Sequence, residues 1–119
     1  MTAADQQQRV GDFLEHILEA LRLIREYCEG LDRERFLADR KTQQAVVLNL
    51  LIIGEAATKI CNEAPDFASS HPAIPWTQMR GMRNRLVHGY FDIDLNIVWD
   101  TVREALPDVE SSVRAAIGR

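Results

Sequence analysis

The chain is short of the residues that staple or break a small fold. Its two cysteines, Cys28 and Cys61, stand far apart without a CxxC spacing, so neither a zinc site nor a disulfide framework is indicated and a reducing cytoplasm is expected. Three of its four prolines fall in "EAPDFASSHPAIP", residues 63 to 75, which concentrates the chain breaking in one predicted loop. An excess of basic charge is also missing. A net charge of -4 and a pI near 5.3 exclude the global footprint of a nucleic-acid-binding domain, so any such contact needs a local basic patch.

No apolar run reaches bilayer length. The strongest, "AVVLNLLII" from Ala45 to Ile53, is about half of what a span requires and carries Asn49 in its middle, so it reads as a buried helix and no membrane partner is expected. The start, "MTAADQQQRV", has none of the basic residues, apolar stretch and small-residue cleavage site of a secretory signal, and cytoplasmic localisation is the expectation. Internal repeats, low-complexity linkers and long alternating strand patterns are absent too. With 119 residues and 46% hydrophobic content, the chain suits one domain over residues 1–119 around one core.

What the sequence does contain is helical periodicity. Val10, Phe13, Ile17, Leu21, Ile24 and Cys28 recur at steps of three and four and predict a long amphipathic helix, with Gly30 as its stop. That stripe is too short for a free coiled coil and predicts intramolecular core. Asp32 can cap a short helix through "RERFLA", with Phe36 dipping inward. From about Arg40 to Asn62, Val46, Val47, Leu50, Gly54 and Ala57 make one face, while Leu48 and Ile52 widen it. Such breadth predicts a central helix with neighbours on more than one side. A helix from Trp76 to His88 follows, with Pro75 as its first residue and Gly89 in a left-handed conformation at its end. Asp94 then caps a stripe of Leu95, Val98, Val102 and Leu106 that Pro107 breaks or kinks, and the last residues predict a weak helix. The fold class is all-α, an antiparallel bundle of four to five helices.

One stretch stands apart from this core-building pattern. "RNRLVHGY", residues 83 to 90, gathers two arginines, an asparagine, a histidine and a tyrosine in an otherwise acidic chain. At about 100° per residue, Trp76, Met79, Met82 and Leu86 face the core, and Arg80, Asn84 and His88 form a polar stripe on another side. Arg83 lies at the border and Arg85 points away from the core. A histidine gives and takes protons near neutral pH, and an arginine offers a fixed fork of donors to a phosphate. Asn84, one turn before His88, can orient the imidazole or bond a ligand. These are the parts for cleaving RNA without a metal or cofactor: a base for the 2'-hydroxyl proton, an acid for the leaving oxygen and a cation on the phosphate. One histidine cannot do both proton transfers, so the chemistry predicts a two-fold dimer with two histidines in one groove. Arg80 and Arg85 are the added RNA-binding candidates.

The same residues admit plainer roles. Arg83 can pair with Asp92 or Asp94 at the surface, His88 can cap the helix C-terminus, and Tyr90 can pack at a helix end. Asn84 can be a solvated helix residue, Glu55 can sit in an ion pair, and Gly54 can admit a close helix approach. His16 reads as helix surface and His71 as loop, with no metal-ligand spacing.

"RNRLVHGY" resembles the RxxxxHxY signature of the HEPN-family toxins called HepT. The likeness continues in "IGEAA" (Ile53 to Ala57), "HPAIPW" (His71 to Trp76) and "FDIDLNIVWDTVREALP", and so covers most of the chain. This resemblance implies a small all-α homodimer acting as a metal-independent endoribonuclease toxin, with its cleft at the dimer interface and Arg83 and His88 as catalytic residues. It implies as partner a minimal nucleotidyltransferase antitoxin, MntA-like, that transfers AMP from ATP to Tyr90. No Gly-Ser loop followed by an Asp-x-Asp pair occurs here, so that transferase belongs to another chain. The competing expectation is a non-catalytic helical subunit that binds a nucleotide or substrate for a two-chain nucleotidyltransferase.

Overall fold

A reciprocal cap starts the first helix. The Thr2 hydroxyl accepts from the Asp5 N–H while the Asp5 carboxylate accepts from the Thr2 N–H, and helix α1 then runs Ala3–Cys28. The computed structural model describes residues 2–119, and every regular element within them is helical. Val10, Ile17, Leu21, Ile24 and Cys28 are buried and Phe13 is half-buried, so the stripe is intramolecular core, as its period requires. Gly30, at a φ of 75°, takes the left-handed turn that a side chain would resist.

Asp32 caps the short α2, Arg33–Leu37, by accepting from the Arg35 N–H at 2.9 Å. Its Phe36 is fully buried against Trp99, ring centroids 5.2 Å apart. Helix α3, Arg40–Glu63, is the central element and packs on α1 along one side. The two run antiparallel, because Gln6 and Arg9 near the start of α1 bond Glu63 at the end of α3. Asn49 is buried within α3 and is satisfied by donating to the Ala45 carbonyl at 2.8 Å. The predicted breadth of α3 is only partly covered. Leu48 is 57% and Ile52 38% exposed, so the described residues leave that flank partly open, with Leu48 at a groove shared with Tyr90 and Phe91.

The predicted loop at 63 to 75 contains a helix, α4, Pro65–Ser70. A six-residue helix is marginal alone, and here tertiary contacts hold it. Pro65 begins it where a missing N–H costs nothing, and the Trp76 indole donates to the Ala68 and His71 carbonyls at its far end, both at 3.1 Å. His71 stacks on Phe67, centroids 4.1 Å apart, and bonds the Phe67 carbonyl, so it is a docked side chain rather than a loose one.

Helix α5, Trp76–His88, packs on the other side of α3. Pro75 precedes its first turn instead of opening it. Met79 and Leu86 are buried and Trp76 and Met82 half-buried, as the wheel predicts. Gly89 corrects the expectation of a left-handed end, having a φ of -117°. Its N–H donates to the Arg85 carbonyl at 2.9 Å, and a Cβ would come within 3.0 Å of that oxygen, so the glycine serves close approach. Tyr90–Asp92 form a single 3-10 turn.

Asp94 then accepts from the Asn96 and Ile97 N–H groups and starts α6, Leu95–Asp100. The chain does not break at Pro107. A widened π turn over Thr101–Ala105 absorbs the ring and the lost N–H, and α7, Leu106–Ile117, continues the direction. Val109 and Val113 of α7 are buried, which anchors the predicted weak terminal helix against α1. α6 and α7 thus act as a fourth long helix in an all-α bundle. The buried apolar side chains form one contiguous cluster.

Candidate active site at the crossing of α3 and α5

Gly54 decides how closely α3 and α5 approach. A Cβ there would overlap the Arg83 Cβ and stand 2.9 Å from the Met79 carbonyl oxygen, so only glycine lets the α5 backbone settle onto α3. The next residue on α3 exploits this contact. Arg83 Nε donates to Glu55 Oε2 at 3.0 Å, and Arg83 Nη1 donates to Asn84 Oδ1 at 2.9 Å. Two anchors therefore hold the guanidinium at its Nε and Nη1, while Nη2 is uncommitted among the described residues. The partner is neither Asp92 nor Asp94, the candidates that lie near Arg83 in the chain, and Asp94 is occupied as the cap of α6.

The other predicted residues fall into two groups. Asn84 touches Arg83 directly. His88, the last residue of α5, is exposed, and its imidazole has no hydrogen bond among the described residues. It lies about 40° around the helix from Asn84 and about 140° from Arg83, so one chain sets the two catalytic candidates near each other without joining them. Arg80 is exposed on the Asn84 and His88 stripe. Arg85 is exposed too, but about 160° from Arg83, on the opposite flank of α5. Neither Arg80 nor Arg85 forms an ion pair among the described residues, and α5 contains no acidic residue, so this helix is a basic element on an acidic protein.

Beyond α5 the surface turns aromatic and apolar. Tyr90 is 57% exposed and meets Phe91 edge to face at 5.7 Å, and Phe91 is 96% exposed. Leu48, Ile52 and Glu55 share one face of α3 by their spacing, and Val87 stands one turn after Arg83 on α5. Leu48, Ile52 and Val87 are all exposed. The Arg83 guanidinium thus sits beside an uncovered apolar flank.

An open groove of about 850 Å³ lies elsewhere, between α1 and the α6–α7 end of the chain, and does not offer comparable chemistry. Its Arg22 is held by Glu19 and Glu26, and its Arg25 and Arg114 share Glu110. Burial raises the Glu110 carboxyl, but the bonds from Arg114 and Arg25 outweigh it and hold the group below the ordinary range. Burial pushes the Cys28 thiol up, away from the thiolate a nucleophile needs.

Residues 17–116, which include every side chain of the α3 and α5 crossing, match the Ribonuclease HepT-like family. The chain belongs to that family. A relative named "Probable ribonuclease HepT", from Thermococcus cleftensis, is 46% identical over 83% of this chain and 87% of its own. A protein of Caldanaerobacter subterraneus subsp. tengcongensis that bears the provisional name of an RNase is 35% identical over 86% of this chain and 88% of its own. Another provisionally named RNase, from Methanocaldococcus jannaschii, is 38% identical over 87% and 93%. No solved structure matches the chain. The HepT-like region runs from α1 to α7, so it spans the whole bundle that positions the site.

Glu55 does sit in an ion pair, as its plainer reading has it, but the sequence does not identify the partner. Its role depends on a contact with Arg83 across 28 positions of sequence. The available signal was the glycine beside it, since a glycine inside a helix marks close approach by another backbone.

Proposed function

We propose that this HepT-like protein is a metal-independent endoribonuclease toxin whose active groove forms where two copies of α5 meet. One observation carries the reading: a guanidinium fixed by Glu55 and Asn84, with Nη2 uncommitted, on an acid-free helix that ends in an exposed, unbonded imidazole. Arg83 holds the scissile phosphate through its open donors. One His88 removes the 2'-hydroxyl proton, which drives that oxygen onto the phosphorus. The second His88, from the other copy, protonates the departing 5'-oxygen. The uncovered flank of Ile52 and Val87 supports a dimer, because large apolar side chains left open beside a charged site gain by meeting a partner. Names of the relatives support the nuclease activity.

The same reading includes control by a partner nucleotidyltransferase that adds AMP to Tyr90. The Tyr90 ring is exposed and its hydroxyl has no hydrogen bond among the described residues, which supports its use as an acceptor. A phosphate attached there stands two residues beyond His88 and competes with RNA for the arginines.

Expression of the wild type and of His88→Ala, each without the partner, tests the nuclease reading. Growth arrest with cut RNA is expected for the wild type only. If both are harmless and RNA stays whole while the partner still binds, the protein is a binding subunit and the nuclease reading falls.

A further inference from the structure

An open groove of about 780 Å³ lies between the first half of α3 and the turn that follows α5. Buried Val47 and half-buried Leu51 and Ile93 make its apolar bottom, and Tyr90 and Phe91 flank it. Three polar side chains, Arg40, Gln43 and Gln44, complete it. Gln43 donates to the Phe36 carbonyl at 2.9 Å and is held in place, whereas neighbouring Gln44 has no side-chain hydrogen bond among the described residues. Arg40 lines the groove as well and has no ion pair among the described residues.

Phe91 is the feature that asks for an occupant. A phenyl ring 96% open to water gains almost nothing for the fold, and its one aromatic neighbour is the Tyr90 ring, edge to face at 5.7 Å, so both of its faces are open to a partner. The groove also has a defined relation to the basic helix. Since α5 passes Gly54 at Met79 and Arg83 and reaches Val47 and Leu51 at Tyr90 and Phe91, α5 runs antiparallel to α3. Leu48 is seven residues before Glu55, about 10 Å along the α3 axis, so the groove and the Arg83 anchor lie along the same helix.

We propose that this groove is a nucleobase subsite, in which Phe91 stacks an unpaired base of single-stranded RNA, Gln44 bonds its edge and Arg40 holds an adjoining phosphate. Every base presents a π-face, so an aromatic platform beside a cation suits single strands, whereas the bases of a duplex are already stacked and paired. A protein segment is the weaker occupant. Among the described residues the groove has an amide and a guanidinium without side-chain partners at its edge, which suit a base edge and a phosphate better than an apolar segment. This subsite rests on the nuclease reading of Arg83 and His88, and it adds that the substrate is unpaired next to the cut.

The test measures binding of a short fluorescent single-stranded RNA to the full chain carrying His88→Ala, which does not cut it. The same strand with abasic sites serves as the second probe. Intact RNA should bind about tenfold tighter than abasic RNA. Adding Phe91→Ala should remove that difference, and Phe91→Trp should keep it. Phe91 contributes no buried contact, so an unchanged melting curve is expected for both variants. Equal binding with and without the phenyl ring overturns the subsite, and so does a failure to bind intact RNA. If Phe91→Ala leaves RNA binding alone but changes the oligomeric mass, the ring belongs to a protein interface and the subsite is again overturned. The two readings separate cleanly: wild type that cuts RNA with no dependence on Phe91 keeps the nuclease and loses the subsite, and Phe91-dependent binding without any cutting does the reverse.

Discussion

Glu55 on α3 accepts a hydrogen bond from Arg83 on α5 at 3.0 Å, and the two side chains remain 47% and 30% exposed. An ion pair that open is worth about 0–1 kcal/mol to the fold, so its main effect is on where the guanidinium stands. Glu55→Ala should therefore lower RNA cleavage about 10- to 100-fold while moving the unfolding free energy by less than about 1 kcal/mol. Glu55→Gln keeps an oxygen acceptor for Nε and should recover part of the loss. Single-turnover cleavage beside urea melting measures both quantities, and wild-type cleavage by Glu55→Ala would remove Glu55 from the site.

Gly54 makes that pair possible, and its replacement gives the opposite balance of effects. A methyl at this position runs into the Arg83 Cβ and the Met79 carbonyl, both on a rigid helix, so α5 has to move away from α3. Gly54→Ala should destabilise by about 1–3 kcal/mol and reduce cleavage as well, with Gly54→Val worse on both counts. A melting curve identical to wild type for Gly54→Ala would show that the crossing yields at no cost.

These two residues also show how far the chain could be read before its fold was known. The stripes of α1 and α5 and the Asp32 and Asp94 caps were legible, because each is a local period or a local hydrogen bond. Of the residues in "RNRLVHGY", Arg83 and Asn84 meet because they are neighbours on α5, whereas His88 and Tyr90 have no hydrogen bond to either among the described residues. The pairing of Arg83 with Glu55 was not legible, because nothing within either helix specifies which acid on α3 will lie under α5. Helix α4 was hidden by its prolines and serines, and what holds it is the Trp76 indole, a tertiary contact. Gly89 was read for handedness when its use is closeness to the Arg85 carbonyl. Leu48 and Ile52 looked like core since a wheel records hydrophobicity and not what covers it.

That uncovered flank leads to a test of assembly. Ile52 is 38% and Val87 47% exposed, so a charge at either position leaves the protomer's own core intact. Ile52→Asp with Val87→Asp should convert the protein to a monomer in sedimentation, with unchanged helical signal. Cleavage should fall by at least about 100-fold, because a lone protomer brings only His88 to the proposed site for two proton transfers. A double variant that is monomeric yet fully active would place the whole reaction within one chain.

Tyr90, the proposed AMP acceptor, allows the proposed control to be tested apart from the proposed cleavage. Its ring lines the α3 groove while its hydroxyl has no hydrogen bond among the described residues, so Tyr90→Phe removes the acceptor oxygen and keeps the ring that meets Phe91. Co-incubation with the partner nucleotidyltransferase and ATP should add AMP to wild type and none to Tyr90→Phe, read by mass spectrometry of the intact chain. Cells making Tyr90→Phe should then stay arrested even when the partner is present, because no phosphate enters the arginine cluster to displace RNA. The decisive adverse result is silencing of Tyr90→Phe by the partner without any adduct. In that case binding alone would occupy the groove, and the exposed hydroxyl would have no part in regulation.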